Sequence, residues 1–359
     1  RSPSSLTPMV ATCVLSVAVL GLAAALSLLG CAESSVWSFS SKNGVQIGHV
    51  RTTPAASSGK VFFGAENGKA YAADAADGSL VWEFTTGAAV RSSPLVKDGR
   101  VYFGSNDGKV YAVKESDGQL VWQFGTGARV WSSPTIGTNK VYVGSANFKL
   151  YAIHEEDGRQ AWIFHTDAGV HSSPAVNRNL LRVYAGSLDG KMYAVHELTG
   201  TLEWEFDAGS PIKSSAALDD GNVYFGSDNG TFFALAEDDG TEMWRFETGA
   251  AIQTAPLVAR GLIFFGNEDG EFYALESTGS NVVERWRFNA TSQIQSGRPS
   301  GEGVGVLFGC EDGKVYGCRH EDGEVYLEYQ ALGPVRSAPL AYGGRVYFGA
   351  DSFYSIEES

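Results

Sequence analysis

The chain has 359 residues and a formal charge of −14, from 27 Lys and Arg against 41 Asp and Glu, with 43% hydrophobic and 12% aromatic residues. That balance excludes a disordered chain, and with no strongly basic segment it argues against a nucleic-acid partner. The 44 glycines point to many turns, while the 4 cysteines (Cys13, Cys31, Cys310, Cys318) supply neither a disulfide framework nor a CxxC metal spacing.

The first predicted element is an apolar run. Residues 10–30, "VATCVLSVAVLGLAAALSLLG", carry no charge and are long enough to cross a bilayer as a helix or to form the core of a signal peptide. "LLGC" at 28–31 resembles the bacterial lipoprotein signal, with Cys31 as the lipidated residue. Cleavage beside the small Gly30 and Ala32, or an uncleaved anchor, are the alternatives. All three export the remainder of the chain, assigning residues 1–32 to a signal peptide or membrane anchor and 33–359 to the folded domain. In a eukaryotic secretory route, "NGT" and "NAT" make Asn229 and Asn289 candidate glycosylation sites.

Beyond this segment the chain repeats. The glycine closing "VYFG" or its variants falls at Gly64, Gly104, Gly144, Gly186, Gly226, Gly266, Gly309 and Gly349, a spacing of 40 to 43 residues. Each unit reads as a small-residue segment such as "VRSSPLV", then "VYFGS", "VYAVK" and "LVWQF". The Asp-Gly and Asn-Gly pairs between them fit tight hairpins, where both turn positions take positive φ. A fixed period of about 40 residues with four strands per repeat predicts propeller blades. No helical period separates the strands, which excludes a parallel βαβ fold. The predicted fold class is therefore all-β, an eight-bladed propeller of four-stranded antiparallel blades.

Side-chain size orders the strands. Blades crowd at the axis and splay at the rim, so Ser, Thr, Ala and Pro belong innermost and Trp outermost. Trp37, Trp82, Trp122, Trp162, Trp204, Trp244 and Trp286 take the outer place, with Leu327 in the remaining slot. Trp131 alone stands on an innermost segment. Trp37 precedes any first strand and the chain ends after a third strand, so the N-terminal segment is expected to complete the last blade and close the ring.

"YAADAADGSLVW" at 71–82 resembles the pyrroloquinoline-quinone-type repeat, A-x-D-x-x-T-G-x-x-x-W, through Ala72, Asp74, Gly78 and Trp82. "YAVHELTGTLEW" at 193–204 keeps the Thr-Gly and Trp but has His196 for the Asp, where other copies carry Lys114, His154, Ala236 or Glu276. The resemblance covers residues 36–359 and implies the propeller fold. It also implies two kinds of function. Quinoprotein dehydrogenases of this repeat hold the quinone (PQQ) over the axis beside calcium or a lanthanide, with a catalytic Asp and often a vicinal Cys pair. The other kind is non-catalytic, a lipid-anchored scaffold of bacterial outer-membrane assembly. This chain has no adjacent cysteines and no long insertion, which aligns it with the second kind.

One letter varies within the recurring "VxSSP" segment. It reads Arg51, Arg91, Trp131, His171, Lys213, Gln253 and Arg336, with Gln295, Ser296 or Arg298 in the seventh repeat. Near the start of each innermost strand these side chains are expected to face one axial mouth and focus a positive potential, with Trp131 offering a flat face for stacking. A solvated mouth in which sequence drifts is the plainer alternative. The turns between third and fourth strands ("KESDG", "HEEDG", "AEDDG", "RHEDG") are acidic and belong on the opposite face. His154, His196 and His320 occupy similar places in separate blades, too far apart to share a metal. Cys310 and Cys318 lie on one hairpin, and a register pairing Cys310 with Val315 leaves them free buried thiols.

The resulting expectation is an exported, membrane-tethered or secreted, non-catalytic propeller that binds other proteins through its inter-blade loop face. No cofactor, catalytic residue or metal ligand is assigned. The membrane is met only through the N-terminal segment. The alternatives are a PQQ-dependent dehydrogenase with Ca²⁺, and a sensor domain for an anionic small molecule.

Overall fold

The computed structural model describes residues 36–294 and 305–358. Expectations for residues 1–35, Cys31 among them, and for Gln295, Ser296 and Arg298 lie outside these residues. Among the described residues the strands form eight antiparallel sheets, seven of four strands and one of three. Blade 1 runs from axis to rim as Ala55–Ser57, Lys60–Gly64, Lys69–Asp74 and Leu80–Thr85. Blades 2 to 6 repeat this order. In blade 7 the described strands are Gly305–Gly309, Lys314–Arg319 and Val325–Gln330.

Blade 8 takes its outer strand from the other end of the chain. Trp37–Ser38 pairs with Phe353–Glu357, Trp37 opposite Ser355 and Ser38 opposite Tyr354. The closing seam is built like an internal one. Val50 N–H donates to the Ala350 carbonyl at 2.8 Å, as Val90 N–H donates to Ala65 at 3.0 Å. A short helix that the strand pattern did not anticipate, Phe39–Asn43, comes directly after Trp37–Ser38 and inserts the buried Phe39 against Phe63 and Tyr71 of blade 1.

Each letter of the recurring segment has a physical task. The Val or Ile is fully buried and packs over the "VYFG" glycine of the preceding blade. A Cβ on Gly104 would lie 2.4 Å from Val130 Cγ1, so only glycine fits there. The first Ser or Thr turns back onto its own blade, where Gly104 N–H donates to Ser92 Oγ at 2.9 Å and Gly144 N–H to Ser132 Oγ at 3.0 Å. The second links blades around the axis. Thr53 N–H donates to Ser93 Oγ, Ser93 to Ser133, Ser133 to Ser173 and Ser173 to Ser215, at 2.8–2.9 Å. These segments satisfy their backbone through side chains rather than a ladder. The innermost strands are accordingly short, and the variable residue precedes them: Arg51 lies before Ala55–Ser57, and Arg91 before Leu95–Lys97. Its expected place is near the start of the strand, and it lies in the segment just ahead of it.

At the rim, six outer Trp residues stack on a glycine of the next blade, and the seventh, Trp244, donates to Ser277 Oγ there instead. Trp82 lies against Gly118, whose φ is +70°, and donates its indole N–H to the Glu115 carbonyl at 2.9 Å. Trp122 and Trp162 repeat this at Glu155 and Glu197. The Gly and Trp of the repeat motif are therefore the two sides of an inter-blade contact. Antiparallel order puts the turns between second and third strands, and the connections to the next blade, on one face, the upper. The acidic third-to-fourth turns fall on the lower face, as expected.

Two expectations need adjustment. Val315 pairs with Gly309, and Cys310 lies one residue beyond; both cysteines are still free and buried, their thiols pushed up to about 12 by burial. His154 and His196 are equivalent, opposite Lys140 and Arg182, but Arg319 takes that place in blade 7 and His320 comes one residue later.

Candidate functional site on the upper face

The variable residues do gather at the upper mouth, but not as a ring of free cations. A second set of residues, two beyond each "VYFG" glycine, stands beside them: Glu66, Asn106, Ala146, Leu188, Asp228, Glu268, Glu311 and Asp351. A carboxylate here sits between the variable residues of its own blade and the next. Glu66 accepts from Arg51 Nε at 2.8 Å and from Arg91 Nε at 3.0 Å. Asp228 pairs with Lys213 Nζ at 2.7 Å and accepts from Gln253 Nε2 at 3.3 Å. Glu311 accepts from Arg336 in a bidentate fork, Nε on one carboxylate oxygen and Nη2 on the other. The expected focused positive potential is thus cancelled at its source, and the bias towards cations arises from the neighbouring acids.

Electrostatics within the paired sector are mutual. Burial, followed by the charge of Arg336, lowers the pKa of Arg51. Burial pushes the Glu66 carboxyl upward, but the hydrogen bond and charge of Arg91, with those of Arg51, outweigh it and hold it below its ordinary value. Arg336 is raised by its hydrogen bond to Glu311.

Blades 3 and 4 differ. Trp131 donates its indole N–H to Asn106 Oδ1 at 2.6 Å and meets His171 edge to face, with ring centroids 4.3 Å apart. Arg129 lies over the same indole at 5.8 Å. His171 stands between Ala146 and Leu188, where other blades place a carboxylate. Burial, then the charge of Lys213, lowers its pKa to about 4. The imidazole is neutral at physiological pH.

Below the mouth an axial channel of about 500 Å³ is lined by hydroxyls and small side chains, including Thr53, Ser93, Ser133, Ser173 and Ser215, with Asp219 its one charged lining residue among those described. No group of three or more His, Cys, Asp or Glu side chains able to hold a metal ion occurs among the described residues. Asn229 is exposed in the upper turn of blade 5, its amide oxygen accepting from Ser227 Oγ and Thr231 N–H. Asn289 is exposed at the end of Val282–Asn289.

Sequence reasoning missed Glu66, Asp228 and Glu311 as partners of the variable letter. It also missed Phe148, which is 51% exposed in the upper turn of blade 3. The signal was available: six equivalent turns carry Gly68, Gly108, Gly190, Gly230, Gly270 and Gly313 at positive φ, and Phe148 adopts +69° in their place.

Among solved structures, the chain is similar to the computationally designed Ika8 protein (TM-score 0.78, 18% identity, covering 88% of this chain and 98% of that one). It is similar to BamB from Moraxella catarrhalis (TM-score 0.72, 18% identity, 88% and 97% covered) and to a europium-containing methanol dehydrogenase (TM-score 0.72, 12% identity, 89% and 86% covered). At these identities the likeness shows the fold alone. No curated protein matches significantly. The family model described as outer membrane protein assembly factor BamB matches residues 31–134, 106–215, 189–283 and 283–356. Those matches span the whole ring, including both strands of the closing blade's seam, and on them the chain belongs to the BamB-type family of PQQ-like propellers.

Proposed function

We propose that the chain is a non-catalytic, exported propeller scaffold that holds a partner protein on its upper face. The observation that carries this reading is the pairing at the mouth. Arg51, Arg91, Lys213 and Arg336 are each engaged by Glu66, Asp228 or Glu311, so the axis presents a rigid, nearly neutralised rim rather than a reactive centre. Similarity to a protein described as an assembly factor supports the same reading. Export rests on the uncharged run at residues 10–30, with tethering through Cys31 or an uncleaved segment as its finer form. Among the described residues no helix is long and apolar enough to cross a membrane.

The test is site-specific photocrosslinking in cells, with a photoreactive residue placed at the exposed upper-face positions Asn67, Phe148 and Asp269 and at the lower-face positions Asp117 and Asp239. Discrete protein adducts from the upper set alone are expected. Adducts from the lower set alone, or from neither, would overturn the reading. So would saturable binding of pyrroloquinoline quinone with Ca²⁺ together with metal-dependent dye reduction.

A further inference from the structure

Resting on the scaffold reading, we infer that the upper face of blades 2 and 3 is the docking sector, and that its occupant is an acidic peptide segment carrying an aromatic or apolar anchor. Three observations converge on one strap of chain, residues 126–131, held between the two blades. Thr126 N–H donates to the Gly108 carbonyl at 2.7 Å, and Asn147 Nδ2 donates to the Thr126 carbonyl at 2.6 Å.

The first observation is charge. Where the third strand of a blade begins with Lys, blades 1, 4 and 7 pair it with a carboxylate on the outer strand: Lys69 with Glu83, Lys191 with Glu205, Lys314 with Glu328, all at 2.6–2.7 Å. In blades 2 and 3 Gln123 and Ile163 take the carboxylate's place, opposite Tyr111 and Tyr151. Lys109 and Lys149 therefore have no ion pair among the described residues, and neither does exposed Arg129 on the strap between them. Asp107, the acid of the blade 2 turn, is taken up by Gly87 N–H at 2.8 Å and Tyr111 O–H at 2.6 Å. In a chain of charge −14, an unneutralised cationic sector selects and steers an anionic partner.

The second observation is apolar surface. Trp131 and His171 form a neutral aromatic corner at the inner end of the strap, and Phe148 stands exposed in the blade 3 turn that Ala146 N–H ties to the Arg129 carbonyl of the strap. The third is backbone cost. Phe148 holds a left-handed conformation that six other blades assign to glycine. A bulky side chain kept at such a position, half in water, contributes nothing to the core, and strain of this kind concentrates at binding sites. A peptide segment placing its ring on Phe148 and Trp131, and its carboxylates on Lys109, Arg129 and Lys149, matches all three.

The experiment uses the full chain and a fluorescein-labelled peptide of alternating Asp/Glu and Phe/Leu, with an Asn/Gln analogue and a Lys analogue, read by anisotropy. Only the acidic peptide is expected to saturate, more weakly at higher salt. The paired change Arg129→Glu with Lys149→Glu should weaken it about tenfold, as should Phe148→Gly, which restores the residue the other turns use. Leu332→Ala, at the exposed apolar residue of the blade 7 to 8 connection, should leave binding unchanged. Equal binding of the Asn/Gln analogue, or insensitivity to both variants, overturns the inference. Displacement by anionic vesicles or single-stranded nucleic acid as efficiently as by unlabelled peptide overturns the assigned occupant. If crosslinking captures a partner from Asn67 and Asp269 but these variants have no effect, the sector assignment fails while the scaffold reading stands. Absence of capture from every upper position fails the scaffold reading itself.

Discussion

Blades 8, 1 and 2 line their share of the axial mouth with Arg336, Arg51 and Arg91 held by Glu311 and Glu66. Blades 3 and 4 line theirs with Trp131 and His171 beside Ala146 and Leu188. Both sectors rest on the same buried Val and the same glycine seat, and blades 1 to 5 share one chain of hydroxyls. The difference lies in one exposed letter of the innermost segment and one letter of the upper turn, which change together. Where the turn is acidic, its described neighbours are cationic or amide-bearing; Ala146 stands between the uncharged rings of Trp131 and His171, and Leu188 between His171 and Lys213. The repeat conserves its geometry and lets local electrostatics be satisfied pair by pair.

Breaking the paired sector should have the largest effect on stability. Glu66→Gln leaves Arg51 and Arg91 facing each other without the carboxylate that bridges them. Loss of one partner from a buried pair costs several kcal/mol; with the two arginine side chains 33% and 36% exposed, about 2 kcal/mol is expected, measured by denaturant unfolding at neutral pH. Leu188→Gln, at the equivalent place in the other sector, should change stability by less than about 0.5 kcal/mol. Because the folded Glu66 carboxyl lies below its ordinary 4.5, its contribution is present above that pH and lost as pH falls through the folded value. Glu66→Gln should therefore flatten the acid limb of the stability curve below pH 4.5, and equal acid limbs in variant and wild type would refute the bridge.

The aromatic sector should titrate in a different window. The His171 pKa is lowered from 6.5 to about 4 by burial and Lys213. The unfolded chain takes up the proton first, so stability is full above pH 6.5 and falls as pH drops towards 4. The size of that loss is about 2 kcal/mol once water at the mouth is allowed for. His171→Phe keeps an uncharged ring against Trp131 and should remove this slope while leaving the steeper fall below pH 4.5. A slope that persists in His171→Phe would place the titrating group elsewhere.

The fold was readable because its causes are local and repeated. Eight closing glycines at a near-constant interval, Asn-Gly and Asp-Gly turns, and one Trp per repeat are periodic signals, and the offset of Trp37 carried the ring closure. The site was readable only in part. The variable residues were found and given their face, but Glu66 lies 15 residues from Arg51 and 25 from Arg91, a pairing that joins a turn to two different blades and has no local signature. The short helix Phe39–Asn43 interrupts a segment whose neighbours are strands. It forms because Phe39 finds a pocket against Phe63 and Tyr71, a tertiary cause that patterning does not contain. The correlation between the turn letter and the variable letter is present in the amino-acid sequence. It becomes informative only when the seam says which turn meets which segment.

The smallest effect has the opposite sign. Phe148 occupies +69° in φ where Gly68, Gly108, Gly190, Gly230, Gly270 and Gly313 sit at 82–90°. A side chain there crowds its own carbonyl, at a cost of about 1–2 kcal/mol, and Phe148 recovers little of it because half its surface meets water. Phe148→Gly should therefore stabilise the fold by about 1 kcal/mol, less than the full strain because the glycine also loosens the unfolded chain. Gly108→Phe, the reverse exchange one blade earlier, should destabilise by more, since a Cβ there would stand 3.1 Å from Ala128 N. If both exchanges cost stability, Phe148 is held by packing and belongs to the scaffold. If Phe148→Gly gains stability while peptide binding falls, the ring is kept for what it touches outside the chain, and the aromatic sector is set apart from its paired counterpart by function as well as by charge.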